Sequence, residues 1–287
     1  QITIPALSSN ATQKAWIEMI HRYAAGILSI IIAMLKLTNH STKKIPCLLN
    51  KILGIILIQA LFGMWTVTWR LHPLAVMPHL IGGMTITTLL YIDYIKKYQK
   101  SNTIIIPHPI KSCLQYLWIA IFLQIIIGGW TSANYAALIC PDLPLCQGKW
   151  LTSVDHFMQG FTLPIGHHNY EGGVISGEGR MAIHITHRIG ALICSGIILR
   201  LSWRIHDHKK QLSRAFIAQY ITLFLCFMIQ ITFGILNVIW QLPISIAVGH
   251  NIIALSIIIQ ISHMLTYRYT PVIKQHDHPP FLQPTAT

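Results

Sequence analysis

The sequence predicts an all-α integral membrane protein: a helical bundle of seven spans, arranged as two tandem, pseudo-two-fold related halves. Three observations carry that expectation. Of the 287 residues, 53% are hydrophobic and only 10% are charged, a balance far from that of a soluble domain of this length. The apolar residues gather into seven runs, each near the roughly 20 residues needed to cross a bilayer. The pattern also repeats: Gln59–Gly63 (QALFG) matches Gln230–Gly234 (QITFG), and His79 matches His250, both at one offset.

The seven runs lie near 16–37, 51–69, 73–95, 113–134, 181–203, 214–239 and 245–267. Basic residues mark alternate ends of them. Lys36, Lys43, Lys44 and Lys51 fall between the first two runs, and Lys96, Lys97, Lys100 and Lys111 between the third and fourth. Arg200, Arg204, Lys209, Lys210 and Arg214 fall between the fifth and sixth, and Arg268 and Lys274 after the seventh. Most of the 21 Lys and Arg residues thus share one side. By the positive-inside rule that side is cytoplasmic, which places the C-terminus inside and the 135–180 loop outside. The net charge of +13 is explained as a topology signal, and no nucleic-acid motif accompanies it. A short interfacial helix is expected near 152–161, and a polar, Pro-rich cytoplasmic tail over 271–287.

The first run opens with Trp16–Gly26, WIEMIHRYAAG, and the fifth with MAIHITHRIGA. Each carries a His-Arg pair, His21-Arg22 and His187-Arg188, just inside its apolar stretch. Ionisable groups at membrane depth are costly and mark function by default. All four spans bearing His21, His79, His187 and His250 enter from outside, so the four imidazoles sit at similar depth in the outer leaflet. That makes two facing pairs, one per half, and imidazole pairs from neighbouring helices hold haem iron in bundles. Zinc fits less well, because no thiolates or carboxylates complete a tetrahedral set. Residues 1–112 form the first half, with the pair His21 and His79; residues 113–270 form the second, with His187 and His250. Both halves run in the same direction, so they should be related by an axis along the membrane normal.

Glu18 breaks the symmetry. It lies on the face of His21, while its counterpart is His184. It reads either as a proton acceptor or as an interfacial carboxylate paired with an arginine. Arg22, Arg188 and Arg70 read either as partners of haem propionates or as side chains reaching the outer surface. Cys140 and Cys146 sit in the outside loop, where oxidation is favoured; a structural disulfide is preferred over a redox-active one. Cys47, Cys113, Cys194 and Cys226 read as small buried or interfacial residues. The Gln-x-x-x-Gly elements, including Gln124–Gly128, read as close helix packing through a small residue. His40, His72, His156, His167, His168, His206, His208, His276 and His278 read as solvated.

The strings WIEMIHRYAAG, GGWTSANYAALICPDLPLCQGKW and HITHRIG, with GHN at His250, make the sequence resemble the haem A synthase family of the cytochrome oxidase assembly pathway. The resemblance covers nearly the whole chain. It implies eight spans in two similar four-helix halves. This chain, which begins at Gln1, is expected to lack the first span and its Cys-bearing loop. The implied activity is that of an oxidoreductase acting on a CH or CH2 group. It converts the C8 methyl of haem O to the formyl of haem A, for cytochrome oxidase, with water as the oxygen source. His187 and His250 match the pair holding a haem b cofactor, and His21 and His79 the pair at the substrate haem. Glu18 matches the acidic catalytic residue, and Cys140 and Cys146 match the loop cysteine pair. Arg188 is assigned to the cofactor as well, through its propionates. Expected partners are haem O, haem A, haem O synthase, cytochrome oxidase assembly proteins and the lipid bilayer, in a bacterial inner membrane. The rival reading is a non-catalytic di-haem b electron-transfer protein, which has no need of Glu18.

Overall fold

The computed structural model describes residues 9–38, 45–98, 105–163, 165–166 and 169–269. The expected tail and His40, His167, His168, His276 and His278 lie outside them. Eight helices follow in order: α1 (Ser9–Thr38), α2 (Ile45–Thr68), α3 (Pro73–Tyr98), α4 (His108–Ala133), α5 (Val154–Phe161), α6 (Gly177–Asp207), α7 (Arg214–Ile239) and α8 (Ile244–Met264). All but α5 are long and apolar enough to cross a membrane. The seven agree with the seven apolar runs, so the protein is an all-α, multi-pass membrane protein. The helices reach farther than the apolar runs because helical hydrogen bonding continues into polar flanks. The α6 helix starts at Ser176, whose side chain accepts from the Gly179 N–H, and carries Glu178 in its first turn and Arg204 in its last. Those charges complement the helix dipole. Ser213 caps α7 in the same way through the Phe216 N–H, and Pro243, with extended backbone, stands at the N-cap of α8.

The chain forms two compact units, 1–89 and 90–287, dividing inside α3 rather than at the repeat boundary near 112. The reason is local. The last turns of α3 bond within the second unit, where the Tyr91 hydroxyl lies 3.1 Å from His263 Nδ1.

In the first unit α1 packs on α2, and α1 is exposed along nearly its whole length, with Ile32 its buried exception among the described side chains. In the second unit, α4 packs along α6 and α7 along α8. Their shared core is read directly from helical periodicity: Leu114, Leu117 and Ile121 on α4; Cys194, Ile198, Leu201 and Ile205 on α6; Phe216, Tyr220, Leu223 and Phe227 on α7; Ile257, Ile258, Ile261 and Met264 on α8. The free thiols of Cys113 and Cys194 are buried in this core, as expected for small apolar residues. Beyond the helices, β1 (Ile105–Ile106) pairs in parallel with β2 (Arg268–Tyr269), tying the start of α4 to the end of α8.

The repeat is visible in the backbone. The α2–α3 turn places Arg70 and Leu71 at φ 45° and 63°, and the α7–α8 turn places Gln241 and Leu242 at 56° and 59°. In each, the second residue's N–H reaches back five positions at 2.8 Å, from Leu71 to Thr66 O and from Leu242 to Asn237 O.

Candidate functional site

In the first unit, α1 brings His21 and α3 brings His79 face to edge. Their ring centres are 6.1 Å apart and their planes are perpendicular. A single metal atom bound by both imidazoles, with bonds of about 2 Å on each side, requires ring centres about 6 Å apart. In separation the pair meets that requirement. His79 Nδ1 donates to the Gln59 main-chain oxygen at 3.1 Å, which leaves Nε2 as the ligating atom. Glu18 does not touch His21. Its carboxylate pairs with Arg22 one turn on, at 2.5 Å, and both side chains are about half exposed. Of the two readings of Glu18 and Arg22 open at the sequence level, the ion pair is the one this conformation displays.

In the second unit, α6 carries His187 and α8 carries His250, both half-buried. His250 Nδ1 is buried without a hydrogen-bond partner. A buried imidazole nitrogen without a partner is costly, and the other nitrogen of this ring, Nε2, lies 3.1 Å from Gln230 Nε2. Among the described residues no group of three or more His, Cys, Asp and Glu converges, so what the fold offers is imidazole pairs.

The Gln-x-x-x-Gly elements meet the histidines directly, which the spacing argument read only as helix packing. A Cβ added at Gly63 would lie 3.1 Å from His79 Cε1, one at Gly128 would lie 3.1 Å from His187 Cε1, and one at Gly234 would lie 3.3 Å from His250 Cε1. Each imidazole edge is seated on the bare backbone of the helix before it. One turn earlier, the glutamine engages the same histidine. Gln59 Nε2 donates to Pro78 O at 3.1 Å, Gln124 Nε2 lies 3.1 Å from His187 Nδ1 and 2.8 Å from His187 O, and Gln230 Nε2 lies 3.1 Å from His250 Nε2. The contact is reciprocal in two cases, since Gln59 packs onto Gly82 and Gln124 onto Gly190, each three residues after the histidine.

The Arg188 guanidinium is bonded to the disulfide loop: NH2 donates to Cys140 O at 2.8 Å, and NH1 to Asp142 O at 2.8 Å and to Leu145 O. Cys140 and Cys146 form a disulfide, packed on Met181 and Ile185 of α6. Inside the loop Asp142 accepts from the Gln147 N–H at 2.7 Å and the Gly148 N–H at 3.1 Å. These two bonds, with a lesser contribution from the Arg188 charge, hold its carboxyl below the usual carboxylate range. The loop closes where Cys146 and Lys149 exchange main-chain bonds at 3.0 Å. His184, the counterpart of Glu18, is buried beside this loop with its Nδ1 unpartnered. The short α5 helix sits over the start of α6. Trp130 Nε1 donates to Gly160 O at 2.9 Å, and a Cβ at Gly160 would meet Gly179 O at 2.5 Å.

Two features escaped the sequence reading. One is the set of three glutamines, whose signal was present in their repeated spacing before a histidine. The other is a buried polar cluster at the far end of α8, where Tyr91 and Gln219 both reach His263 Nδ1 at 3.1 Å and Tyr267 donates to Gln219 at 2.6 Å. No motif announced it, because its members come from three separate segments.

A family model described as cytochrome oxidase assembly protein matches residues 4–261. A curated heme A synthase of Shewanella oneidensis is 37% identical over 249 residues, which is 83% of this chain and 72% of that protein. The paired histidines and the disulfide loop lie within the residues that the family model matches, and the chain belongs to the haem A synthase family of cytochrome oxidase assembly proteins.

Proposed function

We propose that the protein makes haem A for cytochrome oxidase by oxidising the C8 methyl of haem O to a formyl group, with oxygen from water. The observation that carries the reading is the perpendicular His21–His79 pair, whose 6.1 Å separation suits one iron atom. The balance is CH3 plus H2O to CHO plus four protons and four electrons, and an external oxidant accepts the electrons. His21 and His79 hold the substrate haem. His187 and His250 hold a haem b, which supplies one-electron redox chemistry that no protein side chain of this site can perform. Glu18, one turn from His21 on α1, takes a proton released as the methyl carbon is oxidised; its pairing with Arg22 fixes the carboxylate at that face. Arg188 holds the disulfide loop against the helix that carries His187. The basic-end loops and the C-terminus are cytoplasmic, and the disulfide loop is outside, in a bacterial inner membrane. Haem O synthase and other assembly proteins are the natural neighbours, since the substrate and product are both apolar porphyrins.

The test is expression in a host that makes haem O but no haem A, followed by extraction and chromatography of the bound haems. Haem A is expected from the wild type, with haem O retained and haem A lost in Glu18→Ala. Protohaem alone in the wild type would sink the reading in favour of a di-haem electron-transfer protein.

A further inference from the structure

We propose that each Gln-x-x-x-Gly element is a histidine-orienting device: the glycine seats the imidazole edge and, at His187, the glutamine amide sets which ring nitrogen faces the metal. The inference rests on the paired histidines acting as haem ligands. It concerns residues to which that reading gives no role.

The observation is threefold. In α2, α4 and α7 the glycine lies 3.1 to 3.3 Å, by its would-be Cβ, from a histidine Cε1 on another helix. In all three the glutamine Oε1 is buried and without a partner. One orphaned amide oxygen is an accident of packing; the same atom orphaned at three repeat-related positions is a design. A buried polar atom left unpaired is costly, so it persists where something compensates in the working state.

Gln124 shows what compensates. Its Nε2 donates to His187 Nδ1 at 3.1 Å, which fixes the ring proton on Nε2. Ligation through Nε2 moves that proton to Nδ1. The amide then tilts so that Oε1 accepts from Nδ1–H while Nε2 keeps its bond to His187 O. An amide is the side chain that serves both tautomers, since it carries a donor and an acceptor at the same reach. Carboxylate and thioether serve one or neither. At His250 the amide of Gln230 stands instead against Nε2, at 3.1 Å, and the element contributes its glycine seat. In the first unit the task falls to the main chain: His79 Nδ1 already donates to Gln59 O, and the Gln59 amide is bonded to Pro78 O. His187 is therefore tuned by a side chain, whereas His79 of the substrate pair is held by the backbone.

Hydrogen bonding at Nδ1 raises the basicity of a ligating imidazole. Purified protein carrying its bound haem is compared with Gln124→Glu and Gln124→Met by redox titration and low-temperature electron paramagnetic resonance. Glu strengthens the acceptor and is expected to shift the midpoint potential of the low-spin haem downward. Met removes the acceptor and shifts it upward, with haem content near wild type in both. Gly128→Ala, which presses a methyl on the ring, is expected to lose part of the low-spin signal. Gln59→Met serves as the control and leaves that potential unchanged. Shifts of the same sign in the Glu and Met variants, or none, would overturn the inference, since packing alone does not distinguish acceptor from non-acceptor. Wild-type protein without a low-spin haem would instead defeat the functional reading beneath it.

Discussion

Replacing Arg188 by Ala tests how the disulfide loop is kept in place. The guanidinium makes two bonds of 2.8 Å, to Cys140 O and Asp142 O, and a third to Leu145 O. Hydrogen bonds involving a charged group contribute about 1.5–3 kcal/mol each. Three of them set a ceiling of several kcal/mol. Water reaches the outer carbonyls once the arginine is gone, and the disulfide still limits how far the loop departs, so roughly 2–4 kcal/mol of local stability is the expected loss. At about 1.4 kcal/mol per tenfold, hydrogen exchange at the loop amides should accelerate by roughly 30- to 800-fold in detergent-solubilised protein. Arg188→Lys should fall between, because an ammonium cannot address carbonyls on two sides of a fork. Loop amides in Arg188→Ala exchanging within about threefold of wild type would show that the disulfide and the Asp142 turn hold the loop unaided, and the reasoning would fail.

Other outcomes follow from the same end of the molecule. Gly160→Ala places a methyl 2.5 Å from Gly179 O, so α5 must lift from α6 at a cost of about 1–3 kcal/mol; proteolysis within 150–163 should become faster, and an unchanged cleavage rate would count against the close contact. Asp142 is bound more tightly as the carboxylate in the folded loop than in the unfolded chain. Its support is therefore complete above the ordinary carboxylate pKa and is lost as pH falls through the lowered folded value. Exchange at the Gln147 and Gly148 amides should rise only in strongly acidic buffer, and Asp142→Asn should show the raised rate at neutral pH; identical profiles for the two proteins would dismiss the turn.

The spans and the paired histidines were legible because they obey one-dimensional rules. Hydropathy runs give the helices, and costly residues at matched depth stand out against leucine and isoleucine. Even α5 was foreshadowed by the segment 152–161. What did not come through depends on direction. Arg188 sits beside His187 in the chain, yet successive helical residues point about 100° apart, so its side chain leaves the histidine and meets the loop. Glu18 is three residues from His21 and four from Arg22; both neighbours share its face, and charge attraction chose Arg22. The Gln-x-x-x-Gly elements were noticed as a repeat, but spacing alone does not say that the object resting on the glycine is an imidazole and not a second helix. The cluster around His263 draws on residues far apart in the chain, which no local pattern connects.

The short parallel pairing of Ile105–Ile106 with Arg268–Tyr269 has an architectural consequence. It fastens the entrance of α4 to the exit of α8, so the chain enters and leaves this four-span group at one place. A group whose ends meet can be spliced, duplicated or joined head to tail without redrawing its interior.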